Sequence, residues 1–470
     1  MKAPVENPPP AAAAVPPARD EPWRPALDAA LARRAAEPDW LRRLRRTGRD
    51  RFAAAGLPTL RDEDWRFTNL APLRELEFLP TLGRMPPELS AEALDGLAFA
   101  DLPGDRLVFV DGHYAPALSQ GAGGDTASQA RPLSEALTGA ADTLRPWLER
   151  SGADDAGPFA ALNQAAFSDG AWIEIPAGRA VADPVHLLFV STGRRAGTAA
   201  HPRNVIVARR GCRATFCEHY VGLGDQPTLT NAVTDLVVED GARVEHLRFQ
   251  EEAATAFHLG LLRVAQGRDS FVAAHSFSLG ARLFRLQILP RLEAEGAECV
   301  LNGLYLVRDR QLADHHMVVE HARPRGVSHE YFNGILADAA RGVFHGRILV
   351  QPGAQKTDAK QTNKNLLLSE TARVNTKPQL EIYADDVRCT HGATVGQLDP
   401  EAIFYLRARG IARDTARRML VHSFAAEITD RVACAPLREK LDRLIWDWLE
   451  ALDAIRMGDA RTPFDPAATH

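Results

Sequence analysis

Residues 356–369 read KTDAKQTNKNLLLS, nearly all polar for ten positions and then abruptly apolar. Such a break suits a strand that turns the corner of a stacked sheet, and Asn363 and Asn365 are suited to stacking amides from one rung to the next. Working outward, short runs with β-branched residues follow one another from about Ala171: AWIEIPAG, VHLLFVS, NVIVARRG, ATFCEHYVG, NAVTDLVVEDG, RVEHLRFQ, FVAAHSFS, ECVLNGLYLV, GVFHGRILVQPG and QLEIYADDV. Gly or Asp-Gly turns separate many of them, and no amphipathic helix intervenes. Strands without crossover helices exclude a doubly wound α/β sheet and leave a sandwich, a barrel or a stacked β-solenoid. A related phrase opens several runs, at Gly211-Cys-Arg-Ala, Gly241-Ala-Arg-Val, Gly296-Ala-Glu-Cys and Thr371-Ala-Arg-Val. Its spacings of 30, 55 and 75 residues give no strict period.

The flanks differ. From Trp23 to about Glu75 the chain is Ala-, Leu- and Arg-rich and reads as helix, interrupted at Pro38 and stopped by Gly56 and Pro58. Residues 76–170 are mixed, with a strand signal in DRLVFVDGHY and a loop at SQGAGGDTASQA. From Asp399 helices return: Asp399 caps one opened by Pro400 and ended at Gly410, Asp414 caps a second, and a third follows Ala435-Pro436. The third carries Leu441, Leu444, Ile445, Trp448 and Leu449 on one stripe. The expected organisation is therefore a disordered Pro/Ala-rich tail over 1–20, a helical and mixed domain over 21–170, a β core over 171–398 and a helical domain over 399–470.

Composition narrows the function. A formal net charge of −5 over 470 residues argues against a general nucleic-acid surface. The acidic residues near LRRLRRTGRDR make that run a solvated helix face. Five cysteines without a CxxC pair argue against a disulfide framework and for a reducing compartment. No apolar run is long enough for a spanning helix, and the N-terminus lacks the pattern of a secretory signal, so a cytoplasmic protein is expected. Arginine outnumbers lysine fifty to six, yet Lys356, Lys360, Lys364 and Lys377 fall within 22 residues.

The candidate chemistry converges on the same region. No Walker loop, HExxH, zinc-ribbon spacing or GxSxG elbow is present. In ADHHMVVEHAR, strand alternation puts His315 and His321 on one face and His316 and Glu320 on the other, so no metal site is expected there. Cys212 and Cys217, an odd number of residues apart, face opposite ways as core thiols. In EIYADDVRCTHGATVG, Asp385 and Asp386 point apart, whereas Cys389 and His391, two apart, share a face. Both can ligate iron or zinc, but two ligands close no site. Read from these residues alone, a buried thiol and a hydrogen-bonded structural histidine stand beside the ligand reading.

The stretch PQLEIYADDVRCTHGATVGQLDPEAIFYLRARGI, with TDAKQTNKNLLLS upstream, resembles the SufB/SufD family of iron–sulfur cluster assembly proteins. HHMVVEHARPRGVSHEYFNGILADAARGVFHGRILVQPGA resembles its central region, and GLPTLRDEDWRFTNL resembles the N-terminal signature of its SufD branch. The resemblance implies a mainly β protein, a right-handed parallel β-helix between helical terminal domains, serving as a scaffold and not as an enzyme. It implies pairing with a SufB-like paralogue and docking of a SufC-like ABC ATPase at the C-terminal helices, through Phe404, Tyr405, Arg409, Gly410 and Ile411. His391 matches the family histidine tied to a transient iron–sulfur cluster, or iron, shared with SufB, and Cys389 is the secondary candidate. Where SufB-type chains carry a cluster-related cysteine, this chain has Asn363 and Asn365. Lys356, Lys360 and Lys364 are candidates for a sulfur or iron route, set against a solvated face. The resemblance leaves open a bound flavin, and a homodimer when SufB is absent. The competing readings are a β-helix enzyme acting on polysaccharide, and a purely structural subunit in which His391 has no chemical role.

Overall fold

The computed structural model describes residues 23–456 except 83–87, 95, 98, 100, 122–127, 140 and 154–155. The tail expected over 1–20 lies outside the described residues, as does half of the loop expected over 119–130.

Two parallel sheets dominate. One has 11 strands and ends, toward the C-terminus, in Leu283–Leu292, Leu312–His321, Arg341–Val350 and Arg373–Ile382. The other has 10 strands and ends in Glu298–Val307, Val327–Leu336, Asp358–Leu367 and Arg388–Gly396. The chain alternates between the sheets, so each rung is one strand of each, and each strand pairs in register with the strand one rung before. Arg213 pairs with Arg243, Arg243 with Phe271, Phe271 with Glu298, Glu298 with Val327, Val327 with Asp358 and Asp358 with Arg388. This is a parallel β-solenoid with a rung of about 30 residues.

The corners explain the recurring phrase. Gly211, Gly241 and Gly296 have φ of 66°, 67° and 75°, and each lies two residues before a strand of the second sheet. Asp269, Arg325 and Lys356 occupy the same corner on other rungs, with φ of 51°, 59° and 63°. The left-handed turn is constant while the residue that makes it is not, which hides the period from a motif search.

Side chains alternate between the interior and two outer faces. Phe216, Val244, Cys299, Leu301, Phe332 and Phe344 fill the interior. On the outer face of the first sheet, Phe257, Leu259 and Leu283 pack against the N-terminal helices through Leu27, Phe52 and Leu162. The C-terminal helices lay Val421, Ile428, Leu441, Ile445 and Leu449 against Leu247, Phe249, Leu304 and Ile335 of the second sheet. Both sheets are thus buried on two faces, as a parallel sheet requires. Cys212 lies in the interior and Cys217 on the outer face, and both are buried. Asp399 accepts the Glu401 amide at 2.9 Å and Gly410 has φ 82°. Asp414 is not a cap: the second C-terminal helix starts at Arg413, with Asp414 inside its first turn and Ala412 at the N-cap. No helix among the described residues is long and apolar enough to cross a membrane.

Interior space is tight at Gly334, which pairs with Tyr305. A Cβ there would collide with the Tyr305 ring and lie 2.5 Å from Asn365 Oδ1. Gly334→Ala is therefore expected to cost about 1–3 kcal/mol by overpacking, measurable as a fall in thermal midpoint. An unchanged midpoint would mean that the ring has room to move.

Candidate functional site

The last rung is unlike those beneath it. Arg373–Ile382 and Arg388–Gly396 each pair on one side only, with Arg341–Val350 and Asp358–Leu367, and stand at the edges of their sheets. Arg373–Ile382 is half-buried and Arg388–Gly396 largely exposed, whereas earlier rungs are mostly buried. The C-terminal helices run along the side of the solenoid and, among the described residues, nothing covers this end.

Cys389 and His391 belong to that rung. Cys389 pairs with Ala359 and His391 with Gln361, both 1% exposed. The two side chains therefore continue the interior columns, and His391 is exposed only because no further rung covers it. Cys389 packs beside Ile348, Ala354 and Ala359. Partial burial, with Asp358 nearby, pushes its thiol up from the ordinary range, so it stays protonated at neutral pH and is the poorer free ligand of the two.

Beneath His391 the column stays polar. Gln361 Nε2 donates to Glu330 Oε2 at 2.8 Å. Glu330 is wholly buried, and burial raises its carboxyl to about 8 against the opposing hydrogen bond from Gln361. Asn363 and Asn365 also face inward but form no ladder of amides between rungs. Asn365 Nδ2 donates to Asn363 Oδ1 at 2.7 Å, Asn363 Nδ2 to the Phe332 carbonyl at 3.1 Å, and the Tyr305 hydroxyl to Asn365 Oδ1. Two adjacent amides on one face reach each other more easily than they reach a rung that carries a phenyl ring and a glycine.

The three lysines do not share this column. Lys356 sits at a corner and pairs with Asp386. Lys360 and Lys364 occupy the outer face opposite the second C-terminal helix, where Lys364 Nζ lies 2.7 Å from Glu427. Their four-residue spacing keeps them on one face, but it is the face that Cys389 and His391 do not use. Asp385 and Asp386 hold the last corner, accepting from and donating to the Gln355 amide at 2.8 and 3.0 Å.

On the first C-terminal helix, Pro400–Arg407, no residue is buried, and Phe404 and Tyr405 are 72% and 57% exposed. Arg409 stacks 3.4 Å over the Tyr405 ring, while Gly410 turns the chain and Ile411 N closes onto the Leu406 carbonyl at 3.4 Å.

The fold class is a parallel β-solenoid flanked by helices, with an imidazole and a thiol on its terminal rung. Residues 189–424 match the family described as SUF system FeS cluster assembly, SufBD core domain, and residues 29–187 match the SufBD protein N-terminal region. The Escherichia coli iron–sulfur cluster assembly protein SufD is 34% identical over 388 residues, 82% of this chain and 88% of that one. An iron–sulfur cluster assembly SufBD family protein from Synechocystis is 31% identical across 84% of this chain and 88% of its own length. SufD of Bacillus subtilis is 24% identical across 87% and 94%. The chain belongs to the SufB/SufD family of iron–sulfur cluster assembly proteins and is SufD-like.

Proposed function

We propose that this chain is the SufD-like half of a two-solenoid scaffold whose other half is a SufB-like paralogue seated against the last rung. A nascent iron–sulfur cluster is then built as cargo where the two ends meet. The observation that carries this reading is the uncovered terminal rung: two unpaired strand edges, open to further pairing, with His391 on what would be an interior position. Seating a second solenoid there would bury the exposed His391, complete the burial of the half-buried Cys389 and shield a labile cluster from water. Iron–sulfur clusters are held chiefly by thiolates, and the raised Cys389 thiol supports assigning the stronger ligands to the partner. His391 then supplies one nitrogen ligand or one proton-handling group, a role that suits an imidazole near neutral pH. The helical region from residue 399 carries the exposed Phe404–Tyr405 patch, which supports docking of a SufC-like ATPase that brings the nucleotide chemistry this chain's motifs lack.

The test is co-expression with the cognate SufB- and SufC-like proteins, comparing wild type with His391→Ala. Complex size and the absorbance of an anaerobically reconstituted cluster are the readouts. The expected result is an intact complex that loses most of its cluster. A normal cluster in the variant would leave His391 without a ligand role, and failure of the wild-type chain to associate would remove the scaffold reading itself.

A further inference from the structure

Far from residues 389 and 391 in sequence, a second set of ligating side chains converges on the outer face of the first sheet. His316 and His345 pair across adjacent rungs, their ring centroids 4.2 Å apart and nearly perpendicular. Asp64, from the N-terminal turn Glu63–Trp65, lies over them. One ligating atom from each of the three lies within 4.8 Å of the others. His316 is the telling member. Its side chain is 5% exposed, its Nδ1 is buried without a hydrogen-bond partner, and its Nε2 faces Asp64 Oδ1 at 3.8 Å. That distance is too long for a hydrogen bond. It is close to the gap one ion would bridge, bound to nitrogen and oxygen at about 2.1 Å each. His345 donates Nε2–H to Gln379 Oε1 at 2.7 Å. That leaves Nδ1 as its ligating nitrogen, oriented in the manner of metal-bound histidines.

The charges around the three ligands are partly compensated. Three of the neighbouring positive charges have their own carboxylates: Arg285 pairs with Asp314, Lys377 with Glu63 at 2.7 Å and Arg347 with Glu381 at 3.3 Å, while Arg61 and Arg66 also line the cleft. The turn that brings Asp64 is pinned by Thr68 Oγ1 on Asp314 at 2.5 Å and by the Trp65 ring under Arg285 at 3.9 Å. Asp64 itself is 63% exposed, so the remaining coordination positions open to water in a cleft lined by Leu60, Phe67 and Val343.

We propose that Asp64, His316 and His345 bind one divalent first-row transition ion with open coordination positions. Two imidazoles and a carboxylate suit ferrous iron, among other ions of that series. This site is independent of the terminal-rung reading: none of its three ligands lies on the last rung, which supplies only Gln379 to orient His345, and it needs no partner chain.

The test is an anaerobic titration of the full chain with Co(II), following its d–d absorption, in wild type, Asp64→Asn, His345→Gln and His391→Ala. The expected result is one tightly bound equivalent in wild type, retained in His391→Ala, lost in His345→Gln and weakened at least about tenfold in Asp64→Asn. Competition by Fe(II) should bleach the Co(II) band. The proposal is overturned if wild type binds no ion, if Asp64→Asn and His345→Gln titrate like wild type, or if only His391→Ala removes the band. Asp64 is exposed, so its variant decides the matter even where circular dichroism shows that His345→Gln has unfolded.

Discussion

Arg248→Met is expected to lower stability by about 3–5 kcal/mol, because it strands a carboxylate inside the solenoid. Glu218 and Arg248 both face the interior and are 0% and 1% exposed. Arg248 Nη2 donates to Glu218 Oε2 at 2.7 Å, His246 Nε2 lies 2.9 Å from Oε1, and Thr234 and Tyr220 hydroxyls donate at 2.6 Å each. Burial alone would raise the Glu218 carboxyl. Arg248 and His246, with the hydroxyl donors, outweigh it and hold the group well below the usual carboxylate range. Without the guanidinium the carboxylate must either stay charged in an apolar interior or take up a proton. The pair is not fully satisfied even in the native chain, since Arg248 Nε and Nη1 find no partner. Glu218→Gln/Arg248→Met is therefore expected to recover most of the loss, because a neutral amide needs no counter-ion. Urea unfolding at neutral pH of the two single variants and the double variant measures this. A cost below about 1 kcal/mol for Arg248→Met, or simple additivity in the cycle, would show that the two groups are not coupled as the geometry implies.

How much of this architecture can be read from the sequence depends on whether the signal runs along the strand or across the rungs. Alternation runs along the strand, so the shared face of Cys389 and His391 and the opposed faces of Cys212 and Cys217 are legible in their spacings. The corner period runs across rungs, and Asp269, Arg325 and Lys356 make the same left-handed turn as Gly211 and Gly241 without glycine. The Thr371 phrase belongs to the strand Arg373–Ile382 of the other sheet, which is why its spacing fits no multiple of the rung. Ligand partners are lost to the sequence in the same way. His316 and Glu320 do share a face along their strand, as alternation requires, but the group that meets His316 is His345 in the next rung, with Asp64 from the turn that Thr68 anchors. The exposure of His391 could not be read either. Its strand alternates inward and outward as those before it do, and only the course of the C-terminal helices decides that, among the described residues, nothing caps the last rung.

The second large expectation concerns pH and lies directly beneath that open rung. Glu330 is buried with a carboxyl raised to about 8, and Glu330→Gln is expected to flatten the stability of the chain between pH 5 and pH 8. In the unfolded chain the carboxyl loses its proton near the ordinary value, while in the folded chain it keeps the proton to about 8. Between those values the folded state binds more protons. Glu330 therefore contributes stability that is fully present below the unfolded value and lost as pH rises through the folded one, at about 1.4 kcal/mol per pH unit. Across three units wild type should fall by about 4 kcal/mol relative to the glutamine variant, with the two converging near pH 5. Glutamine keeps the shape and the acceptor for Gln361 Nε2 but has no proton to lose. Thermal or urea unfolding of both proteins at several pH values cancels the titration of every other group. Parallel curves would mean that Glu330 is already ionised at neutral pH, and that the column under His391 carries a buried charge and not a neutral hydrogen-bonded pair. The sign matters for the terminal rung: Gln361 lies between Glu330 and His391, so ionising the carboxyl would tighten the grip of Glu330 on the one interior side chain that His391 stands on.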